Sequence, residues 1–210
     1  MILSHALRAV RKAPAAFPQY QSNVTASSGA STTLTINKPS SVASGDLLIA
    51  VLVANATSGW SQLSGWTRLN NIVTDPSTSV QYRIADGTEG ASFTFANLGN
   101  TRCSGTIMRF TGAGVPYVGT SNSSATNTTP HVAPSLTITS DFSLALSIFT
   151  SDAAGITWTG VDGTATVSFS TQCSFNIGRS EVNSGATAAD TATPSSSISY
   201  ASFQLGIPSS

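Results

Sequence analysis

Charge is what this sequence has least of. Of 210 residues only 9% are charged, against about 25% in ordinary soluble domains. Nine Lys and Arg balance nine Asp and Glu, so the formal net charge is zero. Without a cationic excess the chain cannot neutralise a run of phosphates, which excludes whole-chain binding to nucleic acid. A long coiled coil, built on Glu, Lys and Arg, is excluded on the same ground. Long apolar runs are missing too. The longest, Leu47 to Ala54, has eight residues, where a helix through a bilayer needs about 20, so no membrane partner is expected. Two cysteines, Cys103 and Cys173, are too few for a disulfide framework; they are read as buried free thiols, with a single bridge between them as the alternative.

What is abundant is hydroxyl. Ser (35) and Thr (28) make 63 of the 210 residues. Hydrophobic residues are 40%, enough to fold a chain that also lacks the high net charge of disorder. The surface is therefore expected to be hydroxyl-rich and nearly uncharged. The few charges are unevenly placed. Residues 1–45 hold Arg8, Arg11, Lys12 and Lys38 and no acid, whereas residues 46–210 hold five cations against nine acids. The first dozen residues have the spacing of a short amphipathic helix, with Leu3, Leu7 and Val10 on one face and Arg8, Arg11 and Lys12 beside it. Pro14 and Pro18 end it. Residues 1–17 are thus expected to be a basic arm, helical or extended, that anchors the chain to a partner.

From about residue 18 the pattern is β. Thr33 to Ile36 alternates, and so do Val80, Tyr82 and Ile84 with Gln81 and Arg83. The continuous run 47–54 marks a strand buried on both faces or at a sandwich centre. Ser, Thr, Gly, Asn and Asp clusters separate the runs, and Pro stays at the joints. Many short strands at such spacing predict an all-β, antiparallel sandwich of jelly-roll type over 18–210. Val80, Tyr82, Ile84, Phe93, Phe95, Phe175 and Ile177 are expected to point inward. The two halves, about 31–112 and 134–207, echo each other. Leu34-Thr-Ile36 matches Leu136-Thr-Ile138, Trp60 matches Trp158, and Val80 to Ile84 matches Cys173 to Ile177. Residues 113–133 are expected to connect them.

Five segments follow in order: Ser44-Gly-Asp-Leu-Leu-Ile-Ala50, Ser64-Gly-Trp-Thr67, Val80-Gln-Tyr-Arg-Ile-Ala85, Ala91-Ser-Phe-Thr-Phe95 and Ile107-Met-Arg-Phe-Thr-Gly112. Together they resemble a recurrent β-sandwich module of tailed-phage virion proteins and some bacterial surface proteins. The second half is similar through Ala133 to Thr139 and Tyr200 to Pro208. The resemblance implies a jelly-roll-like sandwich and a virion setting, and brings no catalytic residues. The chain departs from the pattern in its basic arm and in Arg109-Phe where Arg-Gly is usual.

Chemistry is sparse. His5 lies in the arm, and His131, in a Pro-flanked loop, is expected to be solvated. No G-x-S-x-G elbow occurs. The carboxylates do not cluster, and Asp86-Gly-Thr-Glu89 reads as a turn. Trp60, Trp66 and Tyr117 are candidates for a glycan platform, with the alternative that the tryptophans plug the sandwich. The sequence is therefore read as a non-enzymatic structural component of a phage virion, without cofactor or metal. Its partners would be other virion proteins and further copies of itself, and its location the virion. The alternative is a carbohydrate-binding or host-surface adhesion module whose partner is a surface polysaccharide.

Overall fold

The structure, a computed structural model, describes residues 16–210. The described residues are all-β. In chain order the strands are β1 (Gln19–Asn37), β2 (Leu47–Ala54), β3 (Thr67–Ile72), β4 (Ser77–Ile84), β5 (Ser92–Thr111), β6 (Tyr117–Thr128), β7 (His131–Ala133), β8 (Thr137–Ile138), β9 (Ser143–Ser151), β10 (Trp158–Thr159), β11 (Thr164–Phe169), β12 (Ser174–Val182), β13 (Gly185–Ala186), β14 (Asp190–Pro194) and β15 (Ile198–Ile207). Every recorded pairing is antiparallel. One five-stranded sheet has the order β1-β5-β2-β4-β3, and a second, read from its far edge, the order β6-β15-β9-β12-β11.

The second order repeats the first, and so does the register. Leu47 pairs with Ile84 on one side and Phe110 on the other. Adding 97 to each number gives Leu144 with Glu181 and Ile207, which also pair. The shift carries the β3–β4 pairing onto β11–β12 together with its bulge, at Arg68/Asn70 in one and Ala165/Val167 in the other. It also turns the Leu34–Phe95 pair into His131–Ala192.

The two sheets share one apolar cluster. Leu47, Ile49, Val51, Val53, Met108 and Phe110 from the first meet Leu144, Leu146, Ile148, Phe175, Ile177 and Phe203 from the second. Thr78 and Thr150 join hydroxyls at 2.7 Å inside it, so neither buried oxygen is left without a partner. All eight residues of β2 are buried, as the run 47–54 predicts. Its odd-numbered side chains enter the shared cluster. Its even-numbered ones, Leu48 to Ala54, enter a second cluster on the outer face with Leu34, Ile36, Trp60, Trp66, Phe93 and Phe95. Beyond the bulges between Ser28 and Thr33, the paired ends of β1 and β5 supply that outer cover. Gly105 makes the approach possible: a Cβ there would come within 3.0 Å of both Leu34 and Leu52. β9 is likewise buried along its whole length.

Several expectations change. Successive strands one to five stay in one sheet, whereas a jelly roll sends the chain back and forth between sheets. Ile84 is 41% exposed, because β4 outruns its cover there, and Tyr82 is only half-buried. Phe93 and Phe95 are buried, but on the outer face of the first sheet. Residues 117–128 form the edge strand β6, which stands where β1 stands in the other sheet. The register makes Ile177 the counterpart of Val80 and His131 the counterpart of Leu34, so the echo of Val80–Ile84 with Cys173–Ile177 is displaced by four residues and that of Leu34–Ile36 with Leu136–Ile138 by five. Phe142 precedes its strand at φ 55° and is 39% exposed. The anchor residues Leu3, Leu7, Arg8, Val10, Arg11 and Lys12 lie outside the described residues.

Ile148→Ala should destabilise by about 2–5 kcal/mol, since a fully buried side chain is removed and its neighbours collapse only partly. Val73→Ser, at a position 52% exposed, should stay within about 0.5 kcal/mol of the parent. Urea unfolding midpoints check both.

Candidate functional site

Most charged side chains here are committed to structure. Asp46, at the start of β2, accepts from Arg109 Nε at 2.6 Å and from the Ala43 N–H at 2.8 Å. This ion pair is largely out of solvent, where losing one partner costs far more than at a surface. In the turn after β4, Arg83 holds both Asp86 (2.7 Å) and Glu89 (3.2 Å). The same carboxylates accept the N–H groups of Asp86, Gly87 and Thr88. Bonds from Thr88 hold the Asp86 carboxyl below its usual range, with Arg83 adding to the effect. These oxygens close a turn, as Asp86-Gly-Thr-Glu89 predicts. Among the described residues no group of three His, Cys, Asp or Glu is placed to hold a metal.

His131 is not a solvated loop residue. It is fully buried, accepts from Trp158 Nε1 through Nδ1 at 3.1 Å, and stacks on Tyr200 with ring centroids 4.0 Å apart. Burial holds its pKa down at about 4, so near neutral pH it is uncharged. The flanking prolines suggested a loop, but Leu34 has the same place in the other half, and that place is core.

The aromatic platform does not form. Trp60 and Trp66 are 1% and 3% exposed, and Trp66 packs edge-on against Phe93 and Phe95. They plug the outer face of the first sheet. Tyr117 is half-buried, with its hydroxyl accepting the Thr139 N–H. Cys103 and Cys173 are buried free thiols, as expected. Burial raises the Cys103 thiol and pushes Cys173 up to about 12.

Two further features bear on function. The first is the pair of long edge strands β1 and β6. Their 19 and 12 residues contain no charged residue and no proline, and each lies at the end of its sheet. The second is a cavity of about 170 Å³ on the outer face of the second sheet. In the first sheet this place is filled by Leu48, Ala50, Trp66, Phe93 and Ile107. The shift of 97 puts Ala145, Ser147, Asp190 and Gln204 at the places of Leu48, Ala50, Phe93 and Ile107. Asp190 is 2% exposed, and its carboxylate accepts the Asp162 N–H. Burial raises its pKa, bonds from Ser147 and from the Asp162 N–H oppose the rise, and the Asp162 charge adds to it. Gln204 is fixed at both ends, donating to the Ala188 carbonyl at 2.8 Å and accepting from Thr187. Sequence reasoning missed this site, since Asp190 and Gln204 stand out only once the register sets them beside Phe93 and Ile107.

The buried imidazole makes stability depend on pH. Its folded pKa is depressed to about 4 from 6.5, so its contribution is complete above pH 6.5 and is lost as pH falls towards 4. The loss is at most about 3 kcal/mol. The raised Asp75 and Asp190 carboxyls oppose it, because protonation favours their buried state. Urea midpoints should therefore fall less steeply between pH 7 and pH 4 in His131→Leu than in the parent.

No family model, curated protein or solved structure matches the chain.

Proposed function

We propose that this chain is a sandwich of two duplicated halves that serves as a non-enzymatic structural component of a tailed-phage virion, as a capsid decoration, fibre base or tail protein. The observation that carries the reading is the pair of uncharged edge strands. An open edge offers a row of N–H and C=O groups to another chain, and natural β proteins usually block it with Lys or Pro. β1 and β6 carry neither. Zero net charge removes the general repulsion that keeps copies apart, and Ser and Thr enter an interface without the desolvation cost of ions. The partners would be further copies and other virion proteins. The arm of residues 1–17 would add an attachment in which Arg8, Arg11 and Lys12 meet an acidic groove beside the apolar stripe of Leu3, Leu7 and Val10. A second reading, adhesion to a host-surface glycan, is favoured by the polar cavity beside Asp190.

Sedimentation tests the edges. The parent should self-associate, and Thr25→Lys with Ser123→Lys should weaken association by about tenfold or more, as like charges then oppose each other across a shared edge. A parent that stays monomeric at high concentration would count against the reading. Deleting residues 2–13 should leave the sandwich folded yet unable to join its particle, and normal incorporation of the truncated chain would remove the arm from the proposal.

A further inference from the structure

The cavity on the outer face of the second sheet has polar walls that the frame does not need. The same strands, in the same register, enclose a dry cluster in the first half. Replacing Phe by Asp190 and Ile by Gln204 puts a carboxylate and an amide where apolar side chains fit, a change that costs stability unless hydrogen bonds offset it. Those bonds exist, and they fix the walls in place. Gln204 is tied to Ala188 and Thr187, and Asp190 to the 160–163 segment through the Asp162 N–H. A carboxylate has about four acceptor directions; the Asp162 N–H, Ser147 and the Thr191 N–H take up three, so Asp190 keeps about one for a further donor. Ser147 and Ser180 add hydroxyls, and Val182 gives the lining an apolar side. The mouth is at the surface, where Asp162 and Ala188 are exposed.

We infer that this cavity binds one ring of a neutral, hydroxyl-rich sugar, free or at the end of a surface polysaccharide. This inference rests on the adhesion reading given above as the second. At about 170 Å³ there is room for the volume of five or six waters, which is the scale of one ring and not of a chain. Acceptor carboxylates suit the O–H donors of a polyol, and small polar pockets gain specificity from a few such fixed groups. Acidic sugars, phosphate and sulfate are repelled by Asp190 and Asp162. A calcium ion needs six or more oxygens around one centre, and no group of three metal-type side chains occurs among the described residues.

Saturation-transfer NMR on the full chain, with methyl glycosides of neutral hexoses and glucuronate as probes, tests the inference, and titration calorimetry with calcium chloride completes it. At least one neutral glycoside should bind with a dissociation constant on the order of 1 mM, as a dozen heavy atoms allow, and glucuronate should give no signal. Val182→Phe narrows the cavity from a half-buried position without touching its polar wall. It should weaken binding at least tenfold and leave the urea midpoint unchanged. Asp190→Asn should do the same for binding, and the Phe variant keeps the test valid if the Asn variant misfolds. Absence of any neutral-glycoside signal at about 10 mM, binding of calcium alone, or undiminished binding in Val182→Phe would each overturn the assignment. Retention of the parent and of Val182→Phe alike on immobilised polysaccharide would leave adhesion standing and remove this cavity from it.

Discussion

Double-sided burial of β2 and β9 is the constraint on which the rest depends. A strand covered on one face can alternate, but these two are buried on both, β9 except where Ala145 and Ser147 line the outer cavity. Each therefore needs an inner partner and an outer one. The inner need is met by the other sheet, through the cluster shared by Ile49, Val51, Leu146 and Ile148. In the first half the outer need is met by the ends of β1 and β5 and by the segment that brings Trp60 and Trp66. The long edge strands and the small outer clusters follow from this one requirement. At roughly 1.5–3 kcal/mol for each fully buried aliphatic side chain, the central strands supply a large share of the favourable energy.

The scarcity of charge has a structural counterpart. Asp46 and Arg109 pair near the start of β2, and Arg83 closes a turn with Asp86 and Glu89. Among the described residues the rest of the surface is rich in hydroxyl and amide groups, the edge strands β1 and β6 included. Ser and Thr pair locally, as Thr35 and Thr94 do across strands at 2.9 Å, without creating the long-range repulsion that separates charged proteins.

The repeated frame makes differences between the halves informative. Where the frame is filled alike, as at Leu47 and Leu144, packing alone accounts for the residues. His131 replaces Leu34 and finds Trp158 and Tyr200, so a polar residue is absorbed into the core. Asp190 and Gln204 replace Phe93 and Ile107 and leave a cavity. Equal backbone with unequal side chains separates what folding demands from what it merely tolerates.

Local pattern in the sequence is enough for the strand class, the burial of 47–54 and the turn at Asp86, and it leaves open whether Cys103 and Cys173 pair. Each of the first three is a local matter: alternation, apolar run length, or a short stretch of turn residues. The sequence also shows two echoing halves, though with Val80 and Leu34 set against the wrong partners, because few identities can be aligned without the ladder. Which face each side chain occupies is set by long-range strand pairing. Phe93 and Phe95 point away from the shared core, Trp60 and Trp66 are sealed, and His131 is buried, since each depends on which strand folds over which. The edge strand β6 and the Asp190 cavity were hidden for the same reason. A polar segment reads as a loop, and an isolated acid as surface, until long-range pairing sets them beside their apolar counterparts.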